Sequence, residues 1–91
     1  MAKDSGRTAL KPLANPVLED FALVPWEGVR QVAEQMTEGL RDHDEGGWRK
    51  LPKRAHISRA IRHLALHLSG DTSEDHLRHA ACRCLMALEY E

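Results

Sequence analysis

The stretch from His63 to Glu91, HLALHLSGDTSEDHLRHAACRCLMALEYE, carries four of the chain's six histidines and both of its cysteines around a single Gly-Asp pair. Imidazoles, thiolates and carboxylates ligate metals and move protons, so their spacing decides what they can do together. His63 and His67 stand four apart, which on a helix places two imidazoles on one face, the geometry of paired metal ligands. Capping or surface histidines give the same spacing. Asp75 and His79 repeat the interval. Asp75 can hold the His79 imidazole in one tautomer, or both can ligate a divalent ion. The plainer alternative is a helix-start acid paired with a histidine one turn on, worth a few tenths of a kcal/mol. Cys82 and Cys84 are two apart, about 200° around a helix. They cannot form a disulfide there and read as small buried residues.

Two further groups have chemical potential. Glu34 and Glu38 lie one helical turn apart, and like charges at that spacing destabilise an isolated helix. A hard cation such as Mg²⁺, bound by oxygen and able to bridge substrate phosphates, would relieve the repulsion. Arg30 and Arg41 on the same face are the simpler neutralisation. The run WRKLPKR, Trp48 to Arg54, gathers basic residues that could hold a phosphate. As a solvated loop and helix start it would need no ligand. Trp48 is expected to anchor this loop on the rest of the domain.

Helices must position these groups. Strand signals are almost absent, because no stretch alternates apolar and polar residues with β-branched enrichment. Three segments carry the helical period. The first spans about Pro25 to Arg41, with Val29, Val32, Ala33, Met36 and Leu40 as its core stripe and Pro25 in the first turn. Gly46 and Gly47 follow as breakers. The second spans about Lys53 to Leu68, with Ile57, Ala60, Ile61, Leu64 and Leu68 as the stripe and His56, His63 and His67 along its flank. Gly70 is the expected C′ residue. The third spans about Ser73 to Glu89, capped by Thr72 or Ser73. It has one stripe at Leu77, Ala80, Ala81, Cys84 and Leu88 and a second line at Asp75, His79, Cys82, Met86 and Glu89. A connection of about four residues makes the last two helices an antiparallel αα-hairpin. The doubled faces of the third helix call for a second packing partner.

The chain has 91 residues, enough for one small domain. Such a chain buries only roughly 60–65% of its unfolded surface. Residues 1–19, with two prolines in the first sixteen positions and no apolar period, read as a flexible or extended arm, leaving residues 20–91 as the helical domain. A core of that size gains from a partner chain or a metal, so a homodimer is expected. Thirteen basic and fourteen acidic residues give a net charge of -1, which argues against nucleic-acid binding driven by bulk charge. The unpaired cysteines suggest a reduced, cytoplasmic setting. No apolar run approaches the ~18 residues of a membrane span, and no signal-peptide pattern is visible.

Taken in order, LVPWEGVRQVAEQMTEGLRDHDEGGW, RAIRHLALHLSGD and EDHLRHAACRCLMALEYE resemble the N-terminal domain of dATP/dGTP diphosphohydrolases, a phage-associated family similar in style to the MazG-like all-α nucleotide pyrophosphohydrolases. Leu23-Val24-Pro25 matches the family's opening, Trp48 its loop tryptophan, and Arg62-His63-Leu64 its Arg-His-Leu. Gly70-Asp71 matches its turn, Asp75 its acid, and His76-Leu77 with His79-Ala80 its final motif. The resemblance covers about residues 21–91. His43 stands where the family has Tyr, Gly47 where it has Asn, and Arg83 where Asn is frequent.

The resemblance implies an all-α, three-helix MazG-like domain, completed as a bundle by dimerisation. It implies Mg²⁺- or Mn²⁺-assisted cleavage of a purine deoxynucleoside triphosphate between its α- and β-phosphates. Glu34, Glu38 and Asp75 would be the oxygen ligands, the two glutamates being assigned from the first helix and not from a family motif. His63, Asp75 and His79 would be catalytic. Arg62, Lys50, Lys53, Arg54 and His76 would bind substrate, the cations countering phosphate charge. A phage-encoded protein of this kind would act in the cytoplasm of its bacterial host. Two other readings fit the same residues: a non-catalytic module binding a nucleotide or a host protein, suggested by the altered loop and Arg83, and a purely structural helical dimer.

Overall fold

A computed structural model describes residues 18–91 of the chain. The reading of an N-terminal arm falls almost wholly on residues 1–17, outside the described part. Among the described residues there are three α-helices and no strand: α1 (Trp26–Glu38), α2 (Lys53–Leu68) and α3 (His76–Leu88). The fold is all-α, as the periodicity requires. No helix among the described residues is long and apolar enough to cross a membrane.

α1 begins just after Pro25, its N-cap, and passes into a 3₁₀ turn, Gly39–Arg41. Gly46 then adopts a left-handed φ of 71° and starts a second 3₁₀ turn, Gly47–Lys50. α2 occupies the expected residues. It ends in a Schellman motif, in which Gly70 N–H donates to the His67 carbonyl and Asp71 N–H to the Leu66 carbonyl. Gly70 holds φ at 88°, a conformation that only glycine adopts freely.

α3 starts three residues later than the periodicity suggests. Its N-cap is Asp75, whose carboxylate accepts from Arg78 N–H at 3.1 Å, and not Thr72 or Ser73. Ser73 is engaged elsewhere: its N–H and hydroxyl both donate to Asp71 Oδ1, at 2.7 and 2.6 Å. A local side chain to backbone bond of this kind competes with helix formation. The hairpin connection therefore spans residues 69–75, longer than expected.

The packing departs further from the expected stripes. α2 and α3 meet through small residues and imidazoles: Ala60, Ala80 and Ala87, with His56, His63 and His76. Small side chains let the helices approach closely enough to enclose the rings. Ile57, Ile61, Leu64 and Leu68 of α2 and Leu77, Cys84 and Leu88 of α3, assigned to the core by period alone, are exposed. Of these, Ile57, Ile61, Leu64, Cys84 and Leu88 edge a shallow apolar groove of about 470 Å³ on the outer side of the hairpin. α1 covers another side of α3, where Val29 and Val32 are half-buried and the Cys82 thiol lies 3.8 Å from the Val32 carbonyl. That burial pushes the Cys82 thiol pKa up, as expected for an unreactive thiol.

The 47–51 loop is pinned as expected, by Trp48. Its indole packs edge-on to His56 at 5.9 Å and against Tyr90 at 6.3 Å. The fully enclosed His56 donates from Nε2 to the Trp48 carbonyl at 2.9 Å. Its bare Nδ1 then accepts from Arg83 Nη1 at 3.0 Å. Arg83, a departure from the family pattern, is thus part of the internal scaffold.

Candidate functional site: an imidazole–carboxylate cluster beside a charged cleft

His63 from the middle of α2 and His76 from the first turn of α3 face each other across the hairpin. Their Nδ1 atoms are 2.9 Å apart and their ring centroids 5.1 Å apart. His79, one turn after Asp75, sets its ring 5.0 Å from His63. Glu74, in the connection, holds His79 Nδ1 at 2.7 Å and lies 3.9 Å from His63 Nδ1. Behind this group, Asp71 Oδ1 stands 3.3 Å from His76 Nε2, off the line of a hydrogen bond, so that this nitrogen is buried without one. The two bonds from Ser73 hold the Asp71 carboxyl down at about 2, with the nearby His76 adding to the effect. Asp71 is therefore an anion at neutral pH, and its field favours the His76 proton on Nε2. Burial first, and the neighbouring His79 second, push the His63 pKa below its ordinary value, which keeps its ring neutral.

His63, Glu74 and His79 form one wall of a cleft of about 1100 Å³ between the hairpin and the segment 35–51. Arg59 and Arg83 bring positive charge to its hairpin wall and Arg41, Arg49 and Lys50 to the facing segment, where Glu38, Asp42, Asp44 and Glu45 also line it, with Trp48 and Met86 as apolar lining. Among the described residues neither Arg59 nor Arg83 makes an ion pair. Arg59 is close enough to disfavour the Arg83 charge, although burial is the larger cause of its lowered pKa. Guanidinium groups can pair bidentately with phosphate oxygens.

The three expected oxygen ligands also meet, but around a cation of the protein itself. Arg78 reaches Glu34 at 3.1 Å, Glu38 at 3.6 Å and Asp75 at 3.6 Å. Arg30 adds a contact to Glu34 at 3.7 Å. A Mg²⁺ ion among these carboxylates would have to displace the Arg78 guanidinium, so the set as arranged does not fit one. Of the expected phosphate binders, Lys50 lines the cleft. Arg62 and Arg54 are exposed outside it, while Lys53 borders the apolar groove and reaches the Glu91 carbonyl at 3.5 Å. His76 is 2% exposed and lies beneath the cleft surface. His67 is exposed and apart from the cluster, although it shares a helix face with His63 by spacing.

Glu74, Arg59 and Arg78 were not singled out by motif or spacing, and Asp71 was matched only as part of the Gly-Asp turn. For Arg59 a signal existed: it precedes His63 by four residues, just as His79 precedes Arg83 by four. Each helix thus presents an arginine and a histidine one turn apart. Glu74 had none, because its role depends on where α3 begins.

An all-α hairpin that sets imidazoles and a carboxylate on the wall of a cleft defines a small helical domain. The chain belongs to the family described as dATP/dGTP diphosphohydrolase, N-terminal, whose model matches residues 14–91. Neither a curated protein nor a solved structure matched the chain.

Proposed function

We propose that the cleft binds a purine deoxynucleoside triphosphate and hydrolyses it to the monophosphate and pyrophosphate. The observation that carries this reading is the placement of Glu74, His79 and His63 on the wall of a cleft that also holds Arg59 and Arg83. The arginines and Lys50 bind the phosphate chain and offset charge building on the leaving pyrophosphate. His79, oriented by Glu74 at 2.7 Å, takes a proton from the water that attacks the α-phosphorus. His63, kept neutral by its burial, borders the same space. Mg²⁺ or Mn²⁺ is expected to arrive on the triphosphate, where it supplies charge neutralisation. No step is assigned to an ion at Glu34, Glu38 and Asp75.

A homodimer is proposed with it. Burying a large aliphatic side chain stabilises by about 1.5–3 kcal/mol, and the single chain leaves Ile57, Ile61, Leu64, Leu68, Leu77 and Leu88 in water. A second copy applied about a two-fold axis would cover this face with its own equivalent.

Incubation of the pure chain with dATP or dGTP and Mg²⁺ or Mn²⁺ tests the enzyme reading. Pyrophosphate release should exceed that of a Glu74→Gln/His79→Ala variant, and equal release removes hydrolysis. The second reading, nucleotide binding without turnover, is favoured by Arg78, which already neutralises the carboxylates assigned to metal. Its signature is a thermal shift with dATP or dGTP that Arg59→Ala abolishes, without pyrophosphate release.

A further inference from the structure

We propose that His63, His76 and Glu74 form a binding site for one zinc-class divalent ion, held by the two Nδ1 atoms and a Glu74 carboxylate oxygen. One ligand atom from each residue lies within 4.8 Å of the other two. Around a tetrahedral ion with bonds of ~2.0–2.1 Å, ligand atoms stand about 3.3 Å apart. The Nδ1 to Nδ1 separation of 2.9 Å and the His63 Nδ1 to Glu74 Oε1 separation of 3.9 Å bracket that value. Shifts of about half an ångström close the site.

The surroundings are those of a metal centre. The Asp71 carboxylate, 3.3 Å from His76 Nε2 though not aligned as a hydrogen bond, favours the proton on that nitrogen by its charge, with the Nδ1 lone pair facing His63. A carboxylate behind a ligating histidine orients the ring and raises its basicity. On the other side, His79 holds Glu74 Oε1 at 2.7 Å and fixes the carboxylate. Without an ion, His63 Nδ1 must carry the hydrogen of the His63–His76 contact, and a bound ion replaces that hydrogen. Paired imidazoles with one carboxylate suit zinc-class ions, whereas Mg²⁺ prefers oxygen alone. Three protein ligands leave a fourth position for water or an anion. That position opens toward the cleft, since His63 and Glu74 line it while His76 lies behind. The site stands whether or not the cleft hydrolyses nucleotides.

The test uses the full chain without nucleotide. Zn²⁺ is titrated against a chromophoric chelator, and the tautomers of His63 and His76 are read from ¹⁵N chemical shifts. One ion per chain is expected. His63 should move its proton from Nδ1 to Nε2 on binding, while His76 keeps its proton on Nε2. Glu74→Gln, at an exposed residue whose loss the helices tolerate, should weaken binding by at least about 10–100-fold, in the range seen when groups around a metal are altered. His76→Gln should do the same. Should it fail to fold by circular dichroism, Glu74→Gln and the tautomer shift carry the test. His67→Ala should bind as the unaltered chain does, and excess Mg²⁺ should not compete. The proposal is overturned by less than one ion per chain, by an unchanged affinity in Glu74→Gln, by an unmoved His63 proton, or by loss of binding in His67→Ala.

Discussion

Arg59 and His63 lie one turn apart on α2, as His79 and Arg83 do on α3, and both pairs line one cleft. Their roles separate on mutation. Arg83 also supports His56, so its loss disturbs the scaffold together with any ligand. Arg59 has no such bond among the described residues, and Arg59→Ala isolates the cleft's charge. Hydrogen bonds to charged groups contribute about 1.5–3 kcal/mol. Arg59→Ala should therefore raise the nucleotide Kd or KM about 10–100-fold with unchanged helix content, measured by titration and circular dichroism. The same change at Arg62, outside the cleft, should have the smaller effect. Arg62, His63 and His79 were all visible in the sequence as members of motifs, yet motif membership did not separate lining from exposed positions. Arg62 and His63 are adjacent, and the roughly 100° between neighbours on a helix sends one to solvent and the other inward.

The elements depend on local chemistry at their ends. α2 ends at Gly70, where an added Cβ would meet nothing within 4 Å but φ is 88°. Gly70→Ala should thus cost about 1–2 kcal/mol through left-handed backbone strain alone, read as a lowered denaturant midpoint with an unchanged slope. α1 opens with Glu27, which accepts from Arg30 Nε and Nη2 at 2.8 Å each. The Arg30 bond, then that of Gln31, lowers the Glu27 pKa to about 2. A carboxylate with a depressed folded pKa contributes stability that is present above the ordinary glutamate value, near ~4.3, and is lost as pH falls toward 2. The side chains are exposed, so the contribution is small. Glu27→Gln should flatten part of the acid-induced loss of α1 amide protection between about pH 4.3 and 2, measured by hydrogen exchange. Helix existence was legible throughout, because period and breakers are local. The start of α3 was not: Ser73 satisfies the Asp71 carboxylate, and Asp75 takes the cap that Thr72 or Ser73 was expected to supply.

At the scale of the whole molecule, the described chain buries histidines and alanines and exposes leucines and isoleucines. The proposed homodimer resolves this inversion. Ile61, at 62% exposure, lies in the apolar groove. Ile61→Asp should leave the single chain folded while halving the mass measured by light scattering. An unaltered chain that is already monomeric would remove the dimer.

The sequence by itself determined the helices, the all-α class, the glycine that ends α2 and the family. It also determined that Cys82 and Cys84, two apart on a helix, form no disulfide with each other, though not that Cys84 would be exposed. These follow from spacing and backbone preference, which act within a few residues. Tertiary structure decided which face of the hairpin closes. Two stripes competed, one of large aliphatics and one of alanines and imidazoles, and the second allowed the closer approach and satisfied His56 by hydrogen bonding. That choice turned His63 and His76 toward each other and brought Glu74 beside them. It also placed Arg78 among Glu34, Glu38 and Asp75. None of these meetings is encoded in a local interval, because each joins residues from different elements or from a loop whose path depends on where α3 begins.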